Sequence, residues 1–209
     1  MRVEYWADVV CPWCYIGLAN LDRALAEYPA DVAVVVRSFQ LDPAAPLTPR
    51  PSVDHLVERY GSSRAQVLAM MQQVASVAAG AGLVCQLEKS RVGSTLDAHR
   101  LLHLAAAQGV QLDLARRLFV AHFAEGRSLF DTDSLVDLGV GSGLDHDQVR
   151  AVLDSDRFAE DVARDMAQAQ SYGITAVPFY VIDGSFGVSG AQPVDRLLSA
   201  LTQAGEHGR

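Results

Sequence analysis

The apolar positions change period several times along the chain, and each change predicts an element. Residues 3–10 are dense in β-branched and aromatic side chains and read as a strand. From Pro12 onward the apolar positions Cys14, Leu18, Leu21 and Leu25 fall on one helical face. That helix is expected to stop before Tyr28-Pro29, because the residue ahead of a proline disfavours helical backbone. An unbroken apolar run at 32–36 then predicts a strand buried on both faces. Together the three elements form a β-α-β unit with parallel strands.

Residues 41–51 carry four prolines and can be neither helix nor central strand, so they mark a boundary. Beyond them the pattern is helical for more than a hundred residues. Ser63 with Gln66 matches a capping box ahead of Val67, Met70, Met71, Val74 and Val77, and this helix is expected to end near Gly80 to Gly82. Further helices are predicted over 95–108, 113–124, 132–140 and 145–153. The Met70-Met71 pair reads as core filler rather than a substrate groove. A helix over 156–172, closed by Gly173, leads to a strand over 174–182, a hairpin turn at Asp183-Gly184, a short partner strand at 186–188, and a last helix carrying Val194, Leu197, Leu198 and Leu201. About the last five residues are expected to be disordered. The organisation is thus one α/β unit in two pieces, 1–42 and 156–209, around a helical segment, 43–155.

Half of the 209 residues are hydrophobic and a fifth are charged, the composition of an ordinary globular protein. No apolar run reaches the ~18 residues of a membrane span, and no signal peptide precedes the first strand. The chain is therefore expected to stay in the cytoplasm. A net charge of −8 disfavours nucleic acid and anionic membrane surfaces as partners, because the long-range field repels phosphates. Three cysteines do not make a disulfide framework.

The candidate chemistry lies in Cys11-Pro12-Trp13-Cys14, where the first strand gives way to the first helix. Cysteines at i and i+3 on an opening helical turn share one side, at a separation that a disulfide closes with little strain. With Cys11 at the N-cap, Pro12 takes the first helical position, where its missing N–H is harmless. The Cys11 sulfur is then expected to rest on unpaired backbone N–H groups at the positive end of the helix dipole, which favours the thiolate that attacks disulfides. Structural zinc is the competing reading, but it needs a second ligand pair. Cys85 has no Cys or His nearby, and only His99 and His103 stand at a ligand-like spacing, one turn apart in a predicted helix.

A β-α-β unit with C-x-x-C at its strand-to-helix turn, followed at a distance by a proline-led β-β-α unit, resembles the thioredoxin fold. With a large all-helical insertion between the halves, this α/β chain looks like the DsbA branch of that fold. The segments Asp8-Val9-Val10-Cys11-Pro12-Trp13-Cys14-Tyr15-Ile16-Gly17, Phe39-Gln40-Leu41-Asp42-Pro43, Thr95-Leu96-Asp97-Ala98-His99-Arg100-Leu101 and Gly173-Ile174-Thr175-Ala176-Val177-Pro178-Phe179 are similar in order and spacing to the FrnE-like dithiol-disulfide oxidoreductases. The resemblance implies that Cys11 is the attacking thiol and Cys14 the resolving one. It implies that Pro178 is a cis-proline opposite the cysteines, and that the Val177 backbone offers strand-like hydrogen bonds to a substrate. The chain departs from the family in having Ser94 where Asn is frequent and Ala176 where Gly is frequent.

Pro12 and Trp13 join this candidate substrate surface, Trp13 with a flat apolar face for a partner or for packing against the insertion. Asp8 reads as the end of the first strand, and alternatively as an acceptor for the Cys14 proton. His99 reads as a hydrogen-bonded core histidine, Arg100 as a surface arginine, and Cys85 as a small buried hydrophobe. The expected activity is cytoplasmic thiol-disulfide exchange on a protein or small-molecule substrate, with no bound cofactor and a low-molecular-weight thiol as electron donor. The alternatives are a glutathione-dependent isomerase resembling 2-hydroxychromene-2-carboxylate isomerase, whose relatives generally carry Ser at the first cysteine, and a non-catalytic partner-binding module.

Overall fold

A computed structural model describes residues 1–207 of the chain. Its main sheet has four strands in the order β2 (Ala33–Ser38), β1 (Arg2–Ala7), β5 (Phe179–Ile182) and β6 (Phe186–Ser189). β1 runs parallel to β2, with Tyr5 opposite Val36, and antiparallel to β5, with Tyr5 opposite Tyr180. Helix α1 (Pro12–Glu27) connects β1 to β2. The hairpin between β5 and β6 turns at Asp183 and Gly184, both at positive φ, which matches the twist of the flanking strands.

Between the two halves come β3 (Arg50–Pro51), α2 (Ser52–Tyr60), α3 (Arg64–Gly80), a 3-10 turn (Leu87–Lys89) and β4 (Arg91–Val92). They are followed by α4 (Leu96–Ala107), α5 (Gln111–Phe123), α6 (Thr132–Gly141), α7 (His146–Leu153) and α8 (Ala159–Ser171); α9 (Val194–His207) closes the described chain. The capping box of α3 is complete, with Ser63 and Gln66 each bonded to the other's backbone N–H.

Several expectations need correction. The first strand ends at Ala7, since residues 8–11 form a turn closed by the Cys11 N–H on the Asp8 carbonyl. The strand expected over 174–182 begins only at Phe179, because Ile174 caps α8 through Ala169 and its successors form the loop facing the cysteines. The helix Ser52–Tyr60 was not anticipated behind the proline-rich connector. Of the expected disordered tail, residues 205–207 lie in α9 and residues 208–209 fall outside the described residues.

Helices close the open edge of the sheet. β2 pairs on one side only, and an unpaired edge exposes backbone donors and acceptors. The Gln111 side chain from α5 answers both the N–H and the C=O of Val36, at 3.0 and 2.9 Å. Asp165 from α8 accepts from the Ser38 N–H and from Arg37, which also binds Glu4. Burial pushes the Asp165 carboxyl up, but hydrogen bonds from His103 and Ser38 and the Arg37 charge hold it below the ordinary carboxylate range.

One histidine makes folding sensitive to acid. His122 in α5 is buried edge-on against Phe123 and Phe130. Burial pushes its imidazole down to about 4 from an ordinary 6.5, against a small opposing effect of the Asp8 charge. Below pH 6.5 the unfolded chain takes up a proton at this site that the native chain refuses. Stability is therefore expected to fall as the pH drops from about 6.5 towards 4, by up to about 3 kcal/mol, and to be indifferent to His122 above pH 7. Urea unfolding of wild type and His122→Leu at pH 7 and pH 5 checks this; equal pH slopes would refute it.

Candidate active site

The turn at residues 8–11 delivers Cys11 to the N-cap of α1, with extended backbone (φ −90°, ψ 113°) and Pro12 as the first helical residue. The Cys11 carbonyl accepts from the N–H groups of Cys14 and Tyr15, which fixes the opening turn. Both cysteines are free thiols. The expected cap by the Cys11 sulfur on the helix N–H groups is absent. The sulfur turns instead to the opposite loop, where it lies 3.7 Å from the Val177 carbonyl oxygen. That carbonyl accepts from the Cys11 S–H, and the Val177–Pro178 peptide bond beside it is cis.

The two sulfurs have different surroundings. Cys11 lines a cleft of about 400 Å³, together with Pro12, Trp13 and Val177, whereas Cys14 does not reach it and is fully buried. Burial pushes the Cys14 thiol well up, and the neighbouring Cys11 reinforces this. The Tyr5 hydroxyl donates to the Cys14 carbonyl, and the Tyr5 and Tyr180 rings pack with centroids 5.1 Å apart. The Tyr180 hydroxyl is buried without a partner. Burial raises both phenols, so they stay neutral.

The cleft's outer wall is apolar. Leu56 and Tyr60 of α2 and Met70, Met71 and Val74 of α3 face Trp13 across it. Trp13 is 41% exposed and Met70 46%. Met71 is buried in the core and also reaches the cleft wall, whereas Met70 is exposed and lines the cleft, so the pair is not core filler alone.

Asp8 lies past the end of β1, in the turn that leads to Cys11. Its carboxylate is 1% exposed and accepts from the Leu41 N–H at 2.8 Å, with His99 Nε2 of α4 at 3.4 Å from its other oxygen. His99 is hydrogen-bonded in the core. His103, one turn on, faces Ser38 and Asp165, so the two histidines serve different carboxylates. Arg100 is not a surface residue: it is buried and donates to carbonyls of Val152, Ser155 and Arg157, holding the end of α7. Cys85 is half-buried outside the cleft, near Tyr15, and burial pushes its thiol up to about 11.

Tyr5 and Tyr180 went unrecognised in the sequence as parts of the site. Tyr5 had one usable signal, its place in the apolar strand that leads into the cysteine turn and is buried from Val3 to Ala7. Leu56 and Tyr60 were missed together with their helix.

Residues 2–202 match the family model described as DSBA-like thioredoxin domain. A probable DsbA oxidoreductase from Streptomyces coelicolor is similar in structure, with a TM-score of 0.94 and 43% identity over 99% of this chain and 90% of that one. A 2-hydroxychromene-2-carboxylate isomerase has a TM-score of 0.71 at 16% identity, covering 100% of this chain and 97% of its own. The cytosolic disulfide reductase DsbM of Pseudomonas aeruginosa, solved alone and with GSH, has a TM-score of 0.65 at 19% identity when alone, covering 99% of this chain and 100% of its own. At those lower identities the last two share the fold. Since the family match runs through both pieces of the sheet and every helix between them, the chain belongs to the DSBA-like thioredoxin domain family.

Proposed function

We propose that this protein is a thiol-disulfide oxidoreductase of the cytoplasm in which Cys11 attacks and Cys14 resolves. One observation carries the assignment: Cys11 lines the cleft and Cys14 does not. A substrate disulfide entering the cleft meets Cys11 first. The Cys11 thiolate bonds to one substrate sulfur and expels the other as a thiolate, leaving a mixed disulfide. Cys14, one helical turn away, then attacks Cys11, releases the second substrate sulfur and leaves Cys11 and Cys14 oxidised. A low-molecular-weight thiol restores the dithiol by the same exchange in reverse, and the GSH-bound form of the related DsbM supports such a donor.

The substrate is a protein or small molecule bearing a disulfide or thiol. Trp13 offers it an apolar face, Pro12 and Val177 line the cleft beside Cys11, and Pro178 follows Val177 through the cis peptide bond without lining the cleft itself. The net charge of −8 argues against nucleic acid as a partner, and no helix among the described residues is long and apolar enough to cross a membrane.

The isomerase reading is tested directly by giving the protein an aromatic disulfide or a chromene carboxylic acid, each with an external thiol. Disulfide reduction is expected to dominate and to vanish in Cys11→Ser. Isomerisation that dominates and survives Cys11→Ser would overturn the proposal and leave the cysteine pair incidental.

A further inference from the structure

The cleft beside Cys11 is apolar over most of its lining and carries one unused cation. Four of its side chains, Trp13, Leu41, Tyr60 and Met70, are large and apolar yet between 41% and 55% exposed. Apolar surface gathered in a cleft, and not scattered singly, is where an apolar ligand is received. The volume of about 400 Å³ suits a small molecule, whose pockets usually measure ~300–1,000 Å³.

The charged side chains in that lining are Asp8, Asp42 and Arg59. Both carboxylates are already engaged, Asp8 by the Leu41 N–H and His99, and Asp42 by the Ala44 N–H. Arg59, exposed on α2, makes no hydrogen bond or ion pair among the described residues. One turn before it on the same face of α2 stands His55, also in the cleft lining. The His55 Nδ1 lies 2.8 Å from Nη2 of Arg50. A guanidinium only donates, so Nδ1 is the acceptor and the ring proton is on Nε2. That N–H has no partner among the described residues. Burial, with the charges of Arg50 and Arg59, pushes the imidazole below its ordinary 6.5, against Asp42 and Glu58, so at pH 7 it is a neutral donor. Arg50 is itself paired with Glu58. The cleft therefore holds two free donors, one of them charged, beside an apolar wall.

We propose that the disulfide substrate is a small molecule with an apolar body and a carboxylate end, the body lying against Trp13, Tyr60 and Met70 and the carboxylate held by Arg59 with the Nε2–H of His55 beside it. This rests on the reading of Cys11 as the attacking thiol. Arg59 takes no part in sulfur exchange; it selects the substrate. A carboxylate in its reach gains a charge-assisted hydrogen bond, a neutral group gains a weaker one, and an ammonium meets a like charge. The helical region thereby contributes the specificity of a reaction whose sulfur chemistry belongs to α1.

Two chromogenic disulfides, 5,5′-dithiobis(2-nitrobenzoate) and its dicarboxamide, share one aryl body and differ in charge. In stopped flow the reduced protein releases the first aryl thiolate as Cys11 attacks, and saturation of that rate with disulfide gives an apparent Kd and a limiting rate for each. Arg59→Ala is expected to raise the Kd of the carboxylate relative to that of the carboxamide by about 3- to 10-fold, with the loss in Kd and not in the limiting rate. Arg59→Lys is expected to lose less and Arg59→Glu more, and added salt to narrow the gap between wild type and Arg59→Ala. A Kd ratio that is the same in wild type and Arg59→Ala overturns the carboxylate site while leaving the oxidoreductase intact. Insulin serves as the polypeptide substrate: if its disulfides react faster than the aryl disulfide, each rate taken relative to that with free dithiothreitol, the small-molecule assignment is overturned. Failure of the wild type to release aryl thiolate from either disulfide overturns the oxidoreductase reading itself.

Discussion

Replacing Cys11 by serine is expected to lower disulfide exchange by on the order of a thousandfold or more, because the attacking atom itself is removed. Cys14→Ser should behave differently. It keeps Cys11, the cysteine that lines the cleft, so attack proceeds and the mixed disulfide accumulates on Cys11, visible by intact mass as a substrate adduct that added thiol removes. Turnover then depends on an external thiol, at concentrations far below the effective concentration of a thiol one helical turn away. Cys85→Ser should leave the rate unchanged, since Cys85 lies outside the cleft with its thiol pushed up to about 11 and mostly protonated at neutral pH. Rates of the three variants against wild type, with adduct masses, decide the matter. A folded Cys85→Ser protein without activity would demand a relay through three thiols, and substantial activity in Cys11→Ser would remove Cys11 from the attacking role.

The parts of this arrangement that the sequence displays are those in which cause and effect lie close together in the chain. Pro12 behind an N-cap, the box of Ser63 and Gln66, and the Asp183-Gly184 turn are each decided within about four residues, and each appears as expected. The strand over 174–182 was overextended because an apolar run does not reveal which of its residues find a ladder partner; only those from Phe179 onward do. Helix α2 shows Val53, Leu56, Val57 and Tyr60 at helical spacing, but nine residues behind a proline-rich connector make a weak periodic signal. The polar contacts that shape the site are the least legible. Asp8 meets His99 across 91 residues, and Gln111 meets Val36 across 75. Arg100 looked like a surface residue because its carbonyl partners lie some fifty residues ahead of it, at the end of another helix.

Gly17→Ala is expected to destabilise the protein and impair exchange, although the same substitution inside an ordinary helix gains about 1 kcal/mol. Gly17 lies within α1, one turn beyond the cysteine pair. A Cβ placed there would meet the Tyr180 hydroxyl oxygen at 2.5 Å and the Pro178 Cγ at 2.9 Å, closer than atoms in contact allow. Neither neighbour yields easily. Tyr180 is 1% exposed with its ring against Tyr5, and Pro178 is a ring fixed between the cleft and β5. Relief therefore has to come from moving α1 away from the 177–178 segment, and overpacking of this kind costs about 1–3 kcal/mol. That outweighs the helical gain, and it widens the 3.7 Å approach between the Cys11 sulfur and the Val177 carbonyl. A lower urea midpoint together with a reduced kcat/KM for a disulfide substrate is the expected result, with Gly17→Val worse in both. A Gly17→Ala protein of higher stability and full activity would show that α1 and the Pro178 segment separate without consequence, and that their close approach does not align the site.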